Sequence, residues 1–172
     1  MAKSTDDPRS PSRIKITERS SGLAACFRLL FDAAPLNSRA LWSLAGLPSP
    51  HDALHAMWTG PEISCPVAAE RLPTDIDLAN LPLENSTSHP AAGDLVLVRL
   101  QPGAPSPATP FANGGLDLGI FYGDGARLFF PSGWIEGSVC GRVEDEDKVG
   151  LALAAALIRR NGACRLELEQ LP

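Results

Sequence analysis

The stretch HDALHAMWTGPE, residues 51–62, places two of the chain's three histidines just before one of its three tryptophans. An imidazole exchanges protons near neutral pH, and an indole offers a flat apolar wall with a single N–H donor. In an extended strand His51, His55 and Met57 share one face, and Trp58 takes the other. A tryptophan beside a histidine on a sheet wall can form one side of a ligand groove. The plainer alternative makes Trp58 a core plug and leaves His55 bonded to backbone at a strand edge. A shared metal is not expected, because four strand steps separate His51 from His55 by roughly 13 Å. On a helix the two would be neighbours, but no H-x-H pair or carboxylate cluster completes a site.

Three further places carry polar groups suited to recognition. Glu84-Asn85-Ser86-Thr87 lies in a long loop ahead of a strand, where a rigid scaffold can present binding groups. Asn85 can both donate and accept toward a carboxylate or amide, or it can close the turn by bonding to backbone. Tyr122, the chain's one tyrosine, ends a strand and offers its hydroxyl either to a pocket or to the rim of the fold. Asp117 and Glu136 are the candidate paired carboxylates, although nothing in the sequence brings them together. Trp134, after the turn in PSGW, reads as packing. Nucleophilic catalysis has little support: there is no G-x-S-x-G elbow and no cysteine in an electropositive setting. Gly123-Asp124-Gly125 reads as a hairpin turn and not as a phosphate cradle, since no helix follows it. No cofactor is expected.

The elements that must position these groups are mostly strands. RIKITE, residues 13–18, alternates and puts Ile14 and Ile16 on one face. Ser20-Ser21-Gly22 turns the chain into a second strand over 23–31, with Ala25, Phe27, Leu29 and Phe31 sharing a face, so the two form a hairpin. Pro35 suits the first position of a helix over 36–45, which Gly46 and Pro48 stop. Residues 51–58 have helix-leaning propensities, but their length and the TGPE turn favour a strand. Residues 62–69 read as a short strand broken by Pro66. Two loops rich in proline, 71–90 and 101–115, flank the strand LVLVRL. DLGIFY and RLFF read as an antiparallel pair across the Gly-Asp-Gly turn, and 135–144 as another strand. The closing helix has acid in its first turn, Glu144 to Asp147, and Arg159-Arg160 in its last, both matching the helix dipole. Val149, Leu153 and Leu157 share a face there, Asn161-Gly162 ends it, and ACRLELEQ alternates as the last strand. About eight strands in antiparallel hairpins with two helices make a small β-barrel or curled sheet.

Bulk properties narrow the function. The 172 residues fit one domain, 44% hydrophobic, with a polar tail over 1–12 and the barrel over 13–172. A net charge of −5 without a basic stripe excludes ordinary nucleic-acid binding. MAKSTDDPRSPS has no apolar core of a signal peptide, and GLALAAALI is far too short to span a bilayer, so no membrane partner is expected. The four cysteines, at 26, 65, 140 and 164, form no C-x-x-C pair; three sit in apolar strands as small hydrophobes, pointing to a cytoplasmic protein.

The segment from Arg28 to Leu44, with DAAPLNS at 32–38, resembles the join of second strand to first helix in the cyclophilins, the prolyl isomerases. HAMWTGPE at 55–62, LENSTSHPAAGDLVL at 83–97, LGIFYG at 118–123 and the run from Pro131 to Gly137 resemble a bacterial family of cyclophilin-like fold with no assigned activity. The likeness covers roughly residues 13–160. It implies a mainly β fold: a closed antiparallel barrel of eight strands capped by two short helices. Cyclophilins carry an arginine near a phenylalanine and then a Phe-Met-Gln segment in their proline pocket. HDALHAMWTGPE has neither, and Arg39 and Arg71 fall in the helix and the loop. The expectation is therefore a cyclophilin-like barrel without recognisable isomerase residues, binding a small polar molecule or short peptide in a barrel-side groove. His55, Trp58, Glu84, Asn85 and Tyr122 are the expected lining. The competing expectations are an isomerase with a displaced pocket and an assembly module that forms a homo-oligomer.

Overall fold

The computed structural model describes residues 13–104 and 111–171; the polar tail and part of the second proline-rich loop lie outside that range. Eleven strands are assigned within it: β1 Arg13–Glu18, β2 Leu23–Leu29, β3 His51–His55, β4 Glu62–Ala68, β5 Ser86–Thr87, β6 Asp94–Leu100, β7 Gly115–Phe121, β8 Phe129–Phe130, β9 Gly133–Trp134, β10 Gly137–Val143 and β11 Ala163–Leu171. Helix α1 spans Pro35–Ala45 and α2 spans Lys148–Asn161. Eight of the strands close into an antiparallel barrel in the order β2-β1-β11-β3-β4-β7-β6-β10, sealed by β10 pairing back onto β2. Closure removes the exposed strand edges that invite aggregation.

Alternation decides which residues fill the barrel. Ile14 and Ile16 of β1, Ala25, Phe27 and Leu29 of β2, Ile63, Cys65 and Val67 of β4, and Leu116, Leu118 and Ile120 of β7 all belong to one buried cluster. Helix α1 starts with Pro35 at its first turn and buries Ala40, Leu41 and Leu44 in the same cluster. Helix α2 contributes Leu151, Ala154, Ala155 and Ile158, and it ends at Gly162 with φ +80°, a conformation glycine adopts without a Cβ clash. The residues between these positions necessarily face outward, and that outer wall carries the site below.

Four local expectations are corrected. Pro66 does not break its strand, because β3 pairs with β4 only through Leu54–Ser64 and His55–Ile63. Proline therefore sits past the end of that ladder, where its missing N–H costs no bond to β3. The strand expected over 51–58 stops at His55. RLFF does not pair with DLGIFY: β7 has both edges occupied, by β4 and β6. Residues 122–136 instead cross the outside of the barrel, fold β8 against β9 and bury Ala126 and Leu128 on Phe121, Val96, Val98 and Val139. Finally, the face of α2 formed by Val149, Leu153 and Leu157 points to solvent at 70, 68 and 43% exposure. Its neighbours Leu151, Ala154, Ala155 and Ile158 take the core side because small alanines let the helix lie close to the barrel.

Candidate functional site

Strands β4 and β7 run side by side, with Ser64 opposite Gly119 and Pro66 opposite Asp117. Since their odd–even partners fill the interior, Glu62, Ser64, Pro66, Asp117 and Gly119 lie on the outer wall. There they meet Leu54 of β3 and the turn that follows it. The backbone N–H of Ala56 donates to Glu62 O, Glu62 N–H donates to Gly60 O, and Gly60 takes φ +93°. That reversal holds Met57 and Trp58 above the wall, and Arg127 N–H pins it by donating to Thr59 O. The result is a pocket of about 260 Å³ whose walls include Leu54, Met57, Trp58, Pro66, Phe111 and Phe130. Trp58 leans on Phe130 with ring centroids 6.2 Å apart and remains 45% exposed.

Two carboxylates line this otherwise apolar pocket. Glu62 is only 3% exposed and accepts a hydrogen bond from Thr59 Oγ1. Ser64 Oγ donates to Asp117, 2.8 Å from Oδ1 and 2.9 Å from Oδ2. Burial, and then the charge of Asp117, push the Glu62 carboxyl up from its ordinary 4.5 to about 8. Burial likewise lifts Asp117 to about 6, against the lowering effect of its Ser64 bond. At neutral pH the pair therefore shares one proton and carries one negative charge. Gly119 makes this possible: a Cβ there would run into Glu62 Oε1 and stand 2.8 Å from the Phe121 ring. Among the described residues no group of metal-ligating side chains is assembled.

The sequence-expected residues fall in three places. Trp58 lines the pocket. His55, on the inward face of β3, shares a 2.6 Å hydrogen bond with Tyr122 Oη, their rings edge-to-face at 5.8 Å. Burial lowers the His55 pKa and raises that of Tyr122, so the pair is neutral at pH 7. Glu84 sits at the start of α1, where its Oε2 accepts from Leu36 N–H, Asn37 N–H and Asn37 Nδ2, each at 2.9 Å. A carboxylate meeting the free N–H groups of a helix start satisfies donors that have no partner within the helix. Asn85 takes φ +44° and donates from Nδ2 to Val139 O. The structure thus brings His55 to Tyr122 and Glu84 next to Asn85, but does not gather the five around one cavity. Asp117 does lie beside a second carboxylate, though that partner is Glu62; Glu136 is 3.4 Å from Ser86 Oγ. His51 is buried with neither ring nitrogen bonded to any described residue, and burial lowers its pKa.

A second cavity, of about 460 Å³, lies between residues 81–83 and β6. Two of its polar side chains are already engaged: Asn37 donates to Pro82 O and Glu84, and Ser138 Oγ accepts from Glu84 N–H. The Glu62–Asp117 pair was missed in the sequence because β4 and β7 lie far apart along the chain. Its signal was present in GLDLGIF, where one aspartate interrupts an apolar strand.

A closed eight-stranded antiparallel barrel with two helices, carrying its pocket on the outer wall, is a cyclophilin-like fold. The chain belongs to the family described as protein of unknown function DUF3830, whose model matches residues 16–170. Among solved structures it is similar to McbB in complex with tryptophan, at 16% identity and a TM-score of 0.60. That match covers 91% of this chain and 44% of McbB, so the chain spans less than half the length of that relative. It also matches a cyclophilin-type peptidyl-prolyl cis-trans isomerase from Cryptosporidium parvum, at 10% identity and TM-score 0.47, covering 95% of this chain and 99% of that one. The Mimivirus cyclophilin matches at 12% identity and TM-score 0.46, covering 94% and 89%. No curated protein matches the sequence.

Proposed function

We propose that this protein binds a small molecule in the outer-wall pocket between β3, β4 and β7, and does not isomerise prolyl bonds. The observation that carries the reading is a ring-sized apolar cavity with a carboxylate pair, the buried Glu62 and the half-buried Asp117, set into its lining. Ligand sites combine such apolar walls with a few placed polar groups. A carboxylate pair with one member buried is costly to keep, and the barrel does not need it for closure, since apolar residues of similar size would pack there. Against isomerase chemistry stands the absence of any arginine among the pocket's described lining residues. The tryptophan bound by McbB makes that amino acid a natural first probe.

The test is a thermal-shift screen of amino acids, amines, organic acids, and peptides with and without proline, run on wild type and Trp58→Ala. A ligand at a hundred times its Kd adds about 2.7 kcal/mol, a rise of roughly 5–10 °C for a chain of this size. Hits that vanish with Trp58 support the pocket. Hits indifferent to Trp58 move the site elsewhere, toward His55 and Tyr122 or Glu84 and Asn85. Proline-selective hits restore the isomerase reading, and no hits at all end the small-molecule reading.

A second reading, self-assembly into a homo-oligomer, is favoured by one observation: Val149, Leu153 and Leu157 form an exposed apolar stripe at four-residue spacing on α2.

A further inference from the structure

Among the described residues neither Glu62 nor Asp117 forms a salt bridge: the ion pairs there join Arg19 to Glu167, Arg142 to Asp94, Lys148 to Asp145 and Arg165 to Asp52. The electrostatic setting of Glu62 is burial and the neighbouring Asp117, with no compensating base. Glu62 is only 3% exposed, lines the pocket, and its Oε1 accepts no hydrogen bond from any described residue. An acceptor that lines an apolar cavity has room for a donor there, and a carboxylate pair with one negative charge lacks a positive one among the described residues.

Resting on the small-molecule reading of this pocket, we infer that its occupant is a monocationic amine with a ring-sized apolar body. The ammonium supplies both missing elements: N–H donors for Glu62 Oε1 and Asp117, and a single positive charge against the pair's single negative one. Size agrees. A dry cavity of about 150 Å³ takes up benzene, so 260 Å³ holds a ring and a short aminoalkyl arm. Trp58 and Phe130 both line this pocket, and aromatic rings attract a cation as well as an apolar ring. A dication would leave net charge in the cavity, and a carboxylate ligand would oppose Asp117 directly.

Isothermal titration separates these cases with three probes of one shape: 2-phenylethylamine, 2-phenylethanol and 3-phenylpropionate, each at pH 7.5 and pH 5. The inference requires the amine to bind at least tenfold more tightly than the alcohol at pH 7.5. Its affinity should drop about tenfold at pH 5, where Asp117, titrating near 6, takes up its proton. Asp117→Asn should abolish the preference for amine over alcohol. The comparison of the three probes on wild type stands even if that variant does not fold. Alcohol or carboxylate binding as tightly as the amine, in a manner lost with Trp58→Ala, overturns the cation and leaves the pocket reading standing. An amine affinity that is flat between pH 5 and 7.5 also overturns it. Failure of all three probes to bind counts against the inference and, joined to an empty thermal-shift screen, against the pocket itself.

Discussion

Replacing Glu62 by glutamine should change how the stability of the barrel depends on pH. The folded protein holds the Glu62 carboxyl at about 8, against an ordinary 4.5 once the chain unfolds. Below pH 4.5 both states carry the proton and the group has no effect on the equilibrium. Above it the unfolded chain ionises while the folded one stays protonated, so the unfolded state binds fewer protons and stability falls as pH rises. The loss continues until the folded carboxyl itself ionises. The slope is about 1.4 kcal/mol per pH unit, so the two units from pH 5 to 7 cost about 3 kcal/mol. Glutamine has the same shape, can still accept the Thr59 hydrogen bond, and cannot ionise. Its amide would also donate toward Asp117. Other groups titrate in this range in both proteins: His51 and His55, whose pKa values are lowered by burial, change stability with the opposite sign, and Asp117, raised by burial to about 6, with the same sign as Glu62. The assay is urea unfolding of wild type and Glu62→Gln at pH 5, 6 and 7. With a slope of roughly 1–3 kcal/mol per molar urea, the gap between midpoints should widen by roughly 1–3 M across the series. Parallel curves, with a constant gap at all three pH values, would refute the argument. They would mean that Glu62 ionises freely and is not buried beside a second carboxylate.

Two other predictions concern the frame. Glu84→Ala leaves three donors at the start of α1 without their acceptor and should cost about 1–2 kcal/mol, read as a lower unfolding midpoint with faster amide exchange at Leu36 and Asn37; unchanged exchange there would reject the capping role. Leu153→Lys, on the exposed face of α2, should shift stability by less than about 0.5 kcal/mol. Native mass spectrometry on both proteins decides whether the α2 stripe joins copies: a wild-type oligomer that dissociates on the Leu153→Lys substitution supports assembly, and a wild-type monomer ends it.

What the sequence discloses and what it hides divide along one line. Features written within a few residues were legible: the alternation of RIKITE, Pro35 at the start of α1, the two arginines in the last turn of α2, and glycine where that helix ends; the acid expected in the first turn of α2 instead forms a short 3-10 turn, Asp145–Asp147, ahead of it. Each depends on backbone preference or on which face a neighbour two or four positions away occupies. Features that depend on which strand lies beside which were not. RLFF looked like the partner of DLGIFY because a Gly-Asp-Gly turn joins them, but a closed barrel had already given both edges of β7 to β4 and β6. The stripe on α2 misled for a related reason. Valine and leucine at four-residue spacing mark a helix face, yet the smaller face, with its alanines, is the one that fits against a curved wall.

The carboxylate pair belongs to the hidden kind, and its position explains why. Pairing of β4 with β7 sets Pro66 opposite Asp117 and Ser64 opposite Gly119, so one wall carries a glutamate at the strand start, a serine that bonds the aspartate, and a glycine that makes room for the glutamate. No one of the four residues signals chemistry alone. Asp117 in an apolar strand reads as an anomaly, and Gly119 reads as a weak point in a sheet. Across the register they account for each other: the glycine is needed because Glu62 Oε1 occupies the space a side chain would fill, and the serine holds the aspartate in place on a wall that offers no base. On the adjoining stretch β6 carries Val96 and Val98, and there the crossing segment covers the wall with Ala126 and Leu128. That contrast between neighbouring strands of one wall is the strongest reason to look for a ligand over β4 and β7.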